Sequence, residues 1–447
     1  MYHSKMMQPF DFPFYVFHFI YMKTSHLLFL LLISVAFVAC RQQSTQSEFV
    51  CHEDMGFTLD GKPYTFVGAN FWYGAILASE GQGGDRQRLC CELDVLHGLG
   101  LDNLRILVGS DGEHGVKPKV EPTLQKAPGV YNDTILAGLD YLLFEMGKRN
   151  MKAVLYLNNS WEWSGGYSYY LERAGKGKAL LPEIDGYDAY VRYVAQFATC
   201  EQAHQLFYDY VRFIVSRKNR YTSLAYCEDP AIMAWQIGNE PRPFSKEAKQ
   251  PFAKWLRETS ALIRSLDPNH LISIGSEGIV GCEMDSALYE QISRDPNIDY
   301  LTAHVWPYNW GWVRRDSLLT DVSQACHNTL EYLQPHFAIA SRLRKPLVIE
   351  EFGYPRDGFL YNPGSPTEAR DRFYDYVLSL VHSEPTISGC NFWAWGGDVL
   401  PKHERWQPGD PYVGDPAQEP QGLYSVFLCD TTTLKLLTVD HWARCKP

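Results

Sequence analysis

Two glutamates stand where carboxylates are chemically useful. The apolar run Ile232–Gly238 leads into Asn239-Glu240-Pro241, and the run Leu347–Glu351 leads into Phe352-Gly353. An acid that protonates a leaving oxygen, facing a second carboxylate across the reacting carbon, is the equipment for cleaving a glycosidic bond. Asn-Glu-Pro alone is more often a turn than a site. The pairing of the two segments carries the reading. Other residues at the ends of apolar runs can tune a carboxylate or stack on a sugar ring: Trp72, Arg105, Asn158, Trp163, His304, Trp306 and Trp393. A lone histidine is usually structural, and Trp72, Trp161 and Trp163 suit a core as well as a sugar face. No Ser–His–Asp set, HExxH motif or P-loop appears, so the carboxylates are left to do the chemistry.

To face each other, the two glutamates need a scaffold. Eight short runs fit strands: Thr65–Phe71, Asn103–Val108, Ala153–Leu157, Ile232–Gly238, Leu271–Gly275, Tyr300–Val305, Leu347–Glu351 and Cys390–Trp395. They are apolar on both faces, as parallel strands covered by helices must be. Helical stripes lie between them, such as Leu89, Leu93 and Leu96, or Phe207, Tyr210, Val211 and Ile214. Ser365-Pro366-Thr367-Glu368 reads as a capping box opening another helix. The alternation predicts a (β/α)₈ barrel forming one catalytic domain over 57–447, with functional residues at the strand C-termini. A doubly wound sheet would need a phosphate-binding glycine loop after its first strand, and Gly68-Ala69-Asn70 is not one.

Strands four and seven then lie across the barrel from each other. Glu240 is expected to be the acid and base, its pKa raised by burial and a negative neighbour. Glu351 is expected to be the nucleophile, kept ionised by Arg105. Alternation along a strand allows only one of Glu350 and Glu351 to face the barrel mouth.

These motifs resemble glycoside hydrolase family 5. Trp235-Gln236-Ile237-Gly238-Asn239-Glu240-Pro241-Arg242 is similar to its acid/base segment, and Pro346-Leu347-Val348-Ile349-Glu350-Glu351-Phe352-Gly353 to its nucleophile segment. In the family the nucleophile directly precedes aromatic-Gly, which selects Glu351. Asn158-Asn159-Ser160-Trp161-Glu162-Trp163 and His304-Val305-Trp306-Pro307-Tyr308 resemble the β-mannanase subfamily. The resemblance implies that Arg105 and Asn239 hold the nucleophile and the sugar 2-hydroxyl. It implies that His304 serves the site from strand six and that Trp393 lies under the reacting sugar. Many relatives carry tyrosine where this chain has Trp306, whose indole N–H donates a hydrogen bond but cannot accept one. The implied activity is retaining cleavage of internal β-1,4 bonds in mannan, glucomannan or galactomannan, with polysaccharide or manno-oligosaccharide as partner. An exo-acting β-mannosidase, a β-glucanase and an inactive glycan-binding lipoprotein are the alternatives. Retention of both glutamates argues against the last.

The remaining sequence sets the context. The chain has 447 residues, 45% hydrophobic and 21% charged, the profile of a folded protein. Its net charge of −11 argues against a nucleic-acid partner, and its 12 Trp and 28 Tyr supply many flat faces. Near the N-terminus, Lys23, the apolar run Leu27–Ala39 and Cys40 read as a bacterial lipoprotein leader, 1–40. Met22 is its natural start. Cys40 would be lipidated, and residues 41–56 would form a tether. Arg41 after Cys40 directs a lipoprotein to the outer membrane, so the protein is expected to be secreted and membrane-bound through lipid alone. Of eleven cysteines ten would then remain, which makes disulfides plausible in an oxidising compartment. Cys90-Cys91 are adjacent and no C-x-x-C occurs, so neither a zinc site nor a cofactor is expected.

Overall fold

The computed structural model describes residues 48–113 and 119–438. All eight predicted strands are present. They are β1 (Phe66–Asn70), β2 (Asn103–Leu107), β3 (Lys152–Tyr156), β4 (Ile232–Gln236), β5 (Leu271–Ser273), β6 (Leu301–Val305), β7 (Leu347–Phe352) and β8 (Ile387–Phe392). Every strand residue is buried. The strands pair in parallel in the order β5-β4-β3-β2-β1-β8-β7-β6. At the remaining seam, the Asp299 N–H donates to the Ile272 carbonyl at 2.8 Å and the His304 N–H to the Glu277 carbonyl at 2.9 Å. These bonds draw the sheet round into the (β/α)₈ barrel.

The helices cover the outside of the sheet because each buries one apolar stripe. Lys249–Leu266, for example, buries Phe252, Trp255, Leu256 and Ile263. Three expectations are corrected. The expected tether 41–56 is folded from its far end: Cys51–Glu53 pairs with Gly56–Leu59, which pairs with Lys62–Tyr64. Val50 and Phe57 explain this, because they pack on Val154, Met233, Leu271 and Val348 and close the bottom of the barrel. The capping box does not form. The helix opens at Glu368, and Asp357 caps it instead, accepting from the N–H groups of Glu368 at 2.8 Å and Ala369 at 3.0 Å. Finally, the nine described cysteines are all free, so the expected disulfides are not found among the described residues. Cys40 and the leader lie outside the described residues. Among those described, no helix is long and apolar enough to cross a membrane.

Candidate active site

Glu240 and Glu351 open into one cleft of about 590 Å³ at the C-terminal ends of the strands. Glu240 follows β4 on a left-handed backbone, φ 48°, a conformation non-glycine residues adopt only under constraint. The constraint is local. Its N–H donates to the Gly275 carbonyl at 2.9 Å, and its carbonyl accepts from the Ser160 hydroxyl. Residue 275 must be glycine, since φ is 77° and a Cβ there would lie 1.9 Å from the Gly238 carbonyl oxygen. Such strain is typical of functional positions.

Glu351 is held from two sides. The Arg105 Nη1 lies 2.5 Å from its Oε1, and the Trp306 indole N–H donates to its Oε2 at 3.2 Å. Tryptophan in place of the expected tyrosine therefore keeps a hydrogen-bond donor on Glu351. Gly353 makes room for it, because a Cβ there would come within 2.7 Å of the Trp306 ring. Arg105 is fully buried and also donates to Asn70, Gln236 and Asn239. Asn239 is further linked to Asn159 at 3.3 Å.

His304 joins the two glutamates. Its Nδ1 is 2.8 Å from the Glu240 Oε1 and 3.3 Å from the Glu351 Oε2. The Trp161 indole N–H donates to the other Glu240 oxygen at 2.6 Å. Atoms of Glu240, His304 and Glu351 lie within 4.8 Å of one another. That spacing is also open to a cation, but the Arg105 guanidinium and the His304 imidazolium already balance these carboxylates.

The shifts of the two glutamates run opposite to the expected pair. Burial pushes Glu240 up, but the His304 bond and charge, the Arg242 charge and the Trp161 N–H hold it below its ordinary value. Burial, with the Glu240 and Glu350 charges, pushes Glu351 up to about 7 against the His304 and Arg105 cations. Burial opposes protonation of His304, but the Glu351 charge and its contacts with Glu240 and Glu350 raise it to about 10. Glu240, shifted down, and His304, shifted up, are thus one hydrogen bond apart.

Glu350 also departs from expectation. Strict alternation would turn it outward, yet its carboxylate bonds Gln236 and lies 3.6 Å from both Arg105 and His304. The β6–β7 register skips it, pairing Ala303 with Ile349 and His304 with Glu351. This bulge turns both carboxylates inward. Only Glu351 lines the cleft.

The other selected residues divide. Asn239, Trp163, Trp306 and Trp393 line the cleft. Trp72 does not. Its indole N–H donates to the Gly414 carbonyl at 2.7 Å, and it packs edge-on against Tyr73, Trp163 and Tyr412. Asn158 is also behind the wall, where its side chain accepts from the Asn159 N–H at 2.7 Å. Sequence reasoning left Trp161 undecided and did not select Arg242, Glu277, Gln418 or Glu419, all of which line the cleft. Arg242 and Glu277 form a two-pronged pair at 2.5 and 2.6 Å. Glu277 lies just past β5, so the rule that function sits at strand ends was signal enough to find it.

The comparisons with known proteins agree with this geometry. A sequence profile described as GH family 5 beta-mannosidase-like matches residues 47–444. The chain belongs to glycoside hydrolase family 5. It is 33% identical to the family 5 mannosidase from Rhizomucor miehei, over 90% of this chain and 98% of that one, with a TM-score of 0.82. A variant of that mannosidase has been solved with mannosyl-fructose bound. Mannan endo-1,4-beta-mannosidase 1 of Oryza sativa subsp. japonica is 29% identical over 364 residues, 77% of this chain and 78% of that protein. The endo-beta-1,4-mannanase of Thermotoga petrophila, 22% identical with a TM-score of 0.63 over 87% of this chain and 78% of that one, shares the fold.

Proposed function

We propose that this family 5 glycoside hydrolase cleaves β-1,4-mannosidic bonds in mannan, glucomannan or galactomannan with retention of configuration. The observation that carries the reading is the spacing of the two glutamates. Carboxylate oxygens within 4.8 Å leave no room for a water between acid and base. Retaining glycosidases hold their carboxyls about 5–5.5 Å apart, whereas inverting enzymes need roughly 6.5–9.5 Å.

In the first step Glu351 attacks the anomeric carbon while Glu240 protonates the leaving oxygen. This step needs a proton on Glu240 and none on Glu351, the reverse of the directions in which the two are shifted. The His304 Nδ1–H supplies the proton to Glu240 along their 2.8 Å contact before the glycosidic bond breaks, and Glu240 passes it to the leaving oxygen as Glu351 attacks. In the second step Glu240, again a base, activates water and Glu351 leaves. Arg105 and Trp306 stabilise the departing Glu351 carboxylate. Asn239, Trp393 and Trp163 would contact the sugar.

The names of the plant relatives support internal cleavage. One observation favours a second reading, removal of units from a chain end. The loop after β8 brings Pro416, Gln418 and Glu419 into the cleft. We also propose that the leader read at 1–40 directs lipidation of Cys40 and export. The proline-free run before Ala39-Cys40 supports it. The testing experiment is product analysis of the purified protein on mannan, glucomannan and cellulose. Retained-configuration manno-oligosaccharides or mannose are expected, and inverted products or cleavage of cellulose alone would defeat the reading.

A further inference from the structure

Glu350 is a carboxylate that the two-step mechanism does not use. It is 1% exposed and does not line the cleft, so it cannot touch a sugar. The bulge between β6 and β7 nevertheless turns it toward the catalytic groups. Its backbone is tied there as well, since its carbonyl accepts from the Asn70 amide at 3.0 Å. A buried charge is costly unless it is paired, so what Glu350 pairs with bears on why it is there.

Its two oxygens are held differently. Oε1 accepts from the Gln236 amide. Oε2 has no hydrogen-bond partner among the described residues, and it lies 3.6 Å from the Arg105 Nε and 3.6 Å from the His304 Nε2. The Arg105 Nε–H is already given to the Gln236 Oε1 at 2.9 Å. The His304 Nε2 is itself buried and without a partner. A buried donor and a buried acceptor, both unpaired, thus stand opposite each other just beyond hydrogen-bond length. Unpaired buried atoms need an explanation, and here each explains the other. The other edge of the imidazole is engaged, with Nδ1 at 2.8 Å from the Glu240 Oε1 and 3.3 Å from the Glu351 Oε2. The carboxylates around His304 are therefore Glu240 after β4 and Glu350 and Glu351 on β7, and the charge of Glu277, past β5, also reaches it. Arg105 on β2 is the cation shared by Glu350 and Glu351.

We propose that Glu350 is a positioning residue: it holds the Nε2–H of His304, so that Nδ1 is the nitrogen that gives a proton to Glu240 and takes it back. This rests on the two-step mechanism above. The hydrogen bond made by one ring nitrogen sets the tautomer, and so decides which nitrogen exchanges protons. In the first step the Nδ1 proton passes to Glu240 and on to the leaving oxygen, and His304 becomes neutral as Glu351 becomes an ester. One positive and one negative charge vanish together, so the net charge of the site is unchanged. In the second step a water proton reaches Glu240 and returns to Nδ1 as Glu351 is released. The Nε2–H stays on Glu350 throughout.

Glu350→Gln tests this because the surroundings fix how the new amide must lie. The Gln236 Oε1 accepts from Arg105, so its NH₂ group, which also donates to the Ser273 hydroxyl at 3.0 Å, faces position 350. In Glu350→Gln the amide oxygen turns to that NH₂ group and the amide nitrogen turns to His304. A donor then meets Nε2 where an acceptor stood. This favours a neutral ring with its proton on Nδ1, which cannot give that proton up. In Ser–His–Asp hydrolases the same exchange of carboxylate for amide keeps the geometry, inverts the tautomer and lowers turnover about 10⁴-fold. The assay compares phenyl and dinitrophenyl β-mannosides, with each variant at its own pH optimum so that the ionisation of Glu351 does not enter. The phenyl leaving group needs acid assistance and the dinitrophenyl group needs little. Glu350→Gln should lose about 10²-fold or more in kcat/KM on the phenyl mannoside and far less on the dinitrophenyl mannoside. Glu350→Asp, which keeps an acceptor, should recover part of the phenyl loss. A second readout needs only the wild type. Nitrogen NMR of the labelled histidine rings should show His304, recognised by its midpoint of about 10, carrying its proton on Nε2 once neutral. Equal losses on both mannosides would show a structural role and overturn the proposal, and so would a neutral ring protonated on Nδ1. An inverted product from the wild type would defeat the two-step mechanism itself, an outcome visible before any variant is made.

Discussion

His304→Gln should move the acid limb of the pH profile. Burial and the neighbouring carboxylates push Glu351 up to about 7, and the His304 Nδ1 lies 3.3 Å from its Oε2. An opposite charge at this range typically lowers a carboxyl by about one to three units. Removing the imidazolium should therefore lift the Glu351 midpoint to roughly 8–10. In the proposed mechanism the attacking species is the Glu351 carboxylate. Its fraction at neutral pH would fall from about one half to between about a tenth and a thousandth, which lowers kcat/KM there about 5- to 500-fold. Activity should recover as pH rises. The assay is kcat/KM against pH on an aryl mannoside with a good leaving group, since acid assistance then matters little and the limb reports the nucleophile. A stability measurement adds a second readout. His304 is raised from 6.5 to about 10 in the folded state, so the stability it contributes is full below about 6.5 and is lost as pH rises through about 10. The wild type should be more stable than the variant at low pH, and the difference should vanish in strong alkali. A loss of activity that is equal at every pH, with the limb still near neutrality, would refute the reasoning.

Other outcomes separate the remaining groups. Glu351→Ala should abolish hydrolysis, with azide restoring turnover of an activated substrate as a glycosyl azide of inverted configuration; rescue with retention would reassign the nucleophile. Glu240→Ala should lose about 10²–10⁴-fold or more on mannan. It should keep a fast first step on an activated aryl mannoside and give a retained azide product, seen by burst kinetics and NMR. Glu350→Gln should still form the covalent intermediate, detectable by mass spectrometry with a slow substrate, while lowering the melting temperature because Arg105 and His304 lose a buried countercharge. Exhaustive chelation should leave activity intact, and a loss reversed by one metal would contradict a purely carboxylate mechanism. With Cys40 lipidated, the wild type should sediment with the membrane fraction and Cys40→Ser should not; equal distribution of the two would refute the leader reading.

Much of this molecule was legible from local patterns, because local patterns are what strands and catalytic motifs are made of. The eight strands of the barrel were found within a few residues, since a parallel strand buried on both faces must be continuously apolar. Glu240, Glu351 and Arg105 followed from their places at or near strand ends, and the resemblance to family 5 chose Glu351 over Glu350. Tertiary structure decided what depends on neighbours distant in sequence. A one-residue bulge between β6 and β7 brought Glu350 inward beside Arg105 and His304, against the alternation that a regular strand imposes. The opposed shifts of Glu240 and Glu351 and the rise of His304 depend on contacts of 2.8 and 3.3 Å between residues from three strand ends. No spacing in sequence encodes such distances. Composition could not say whether an indole was wall or sugar face. Trp72 is sealed by Tyr412 and the Gly414 carbonyl, while Trp161, nearby in the same cluster of aromatics, reaches Glu240. The places of Gln418 and Glu419 in the cleft lining were hidden for the same reason: they sit in a polar loop without periodicity, and only the fold brings that loop to the barrel mouth.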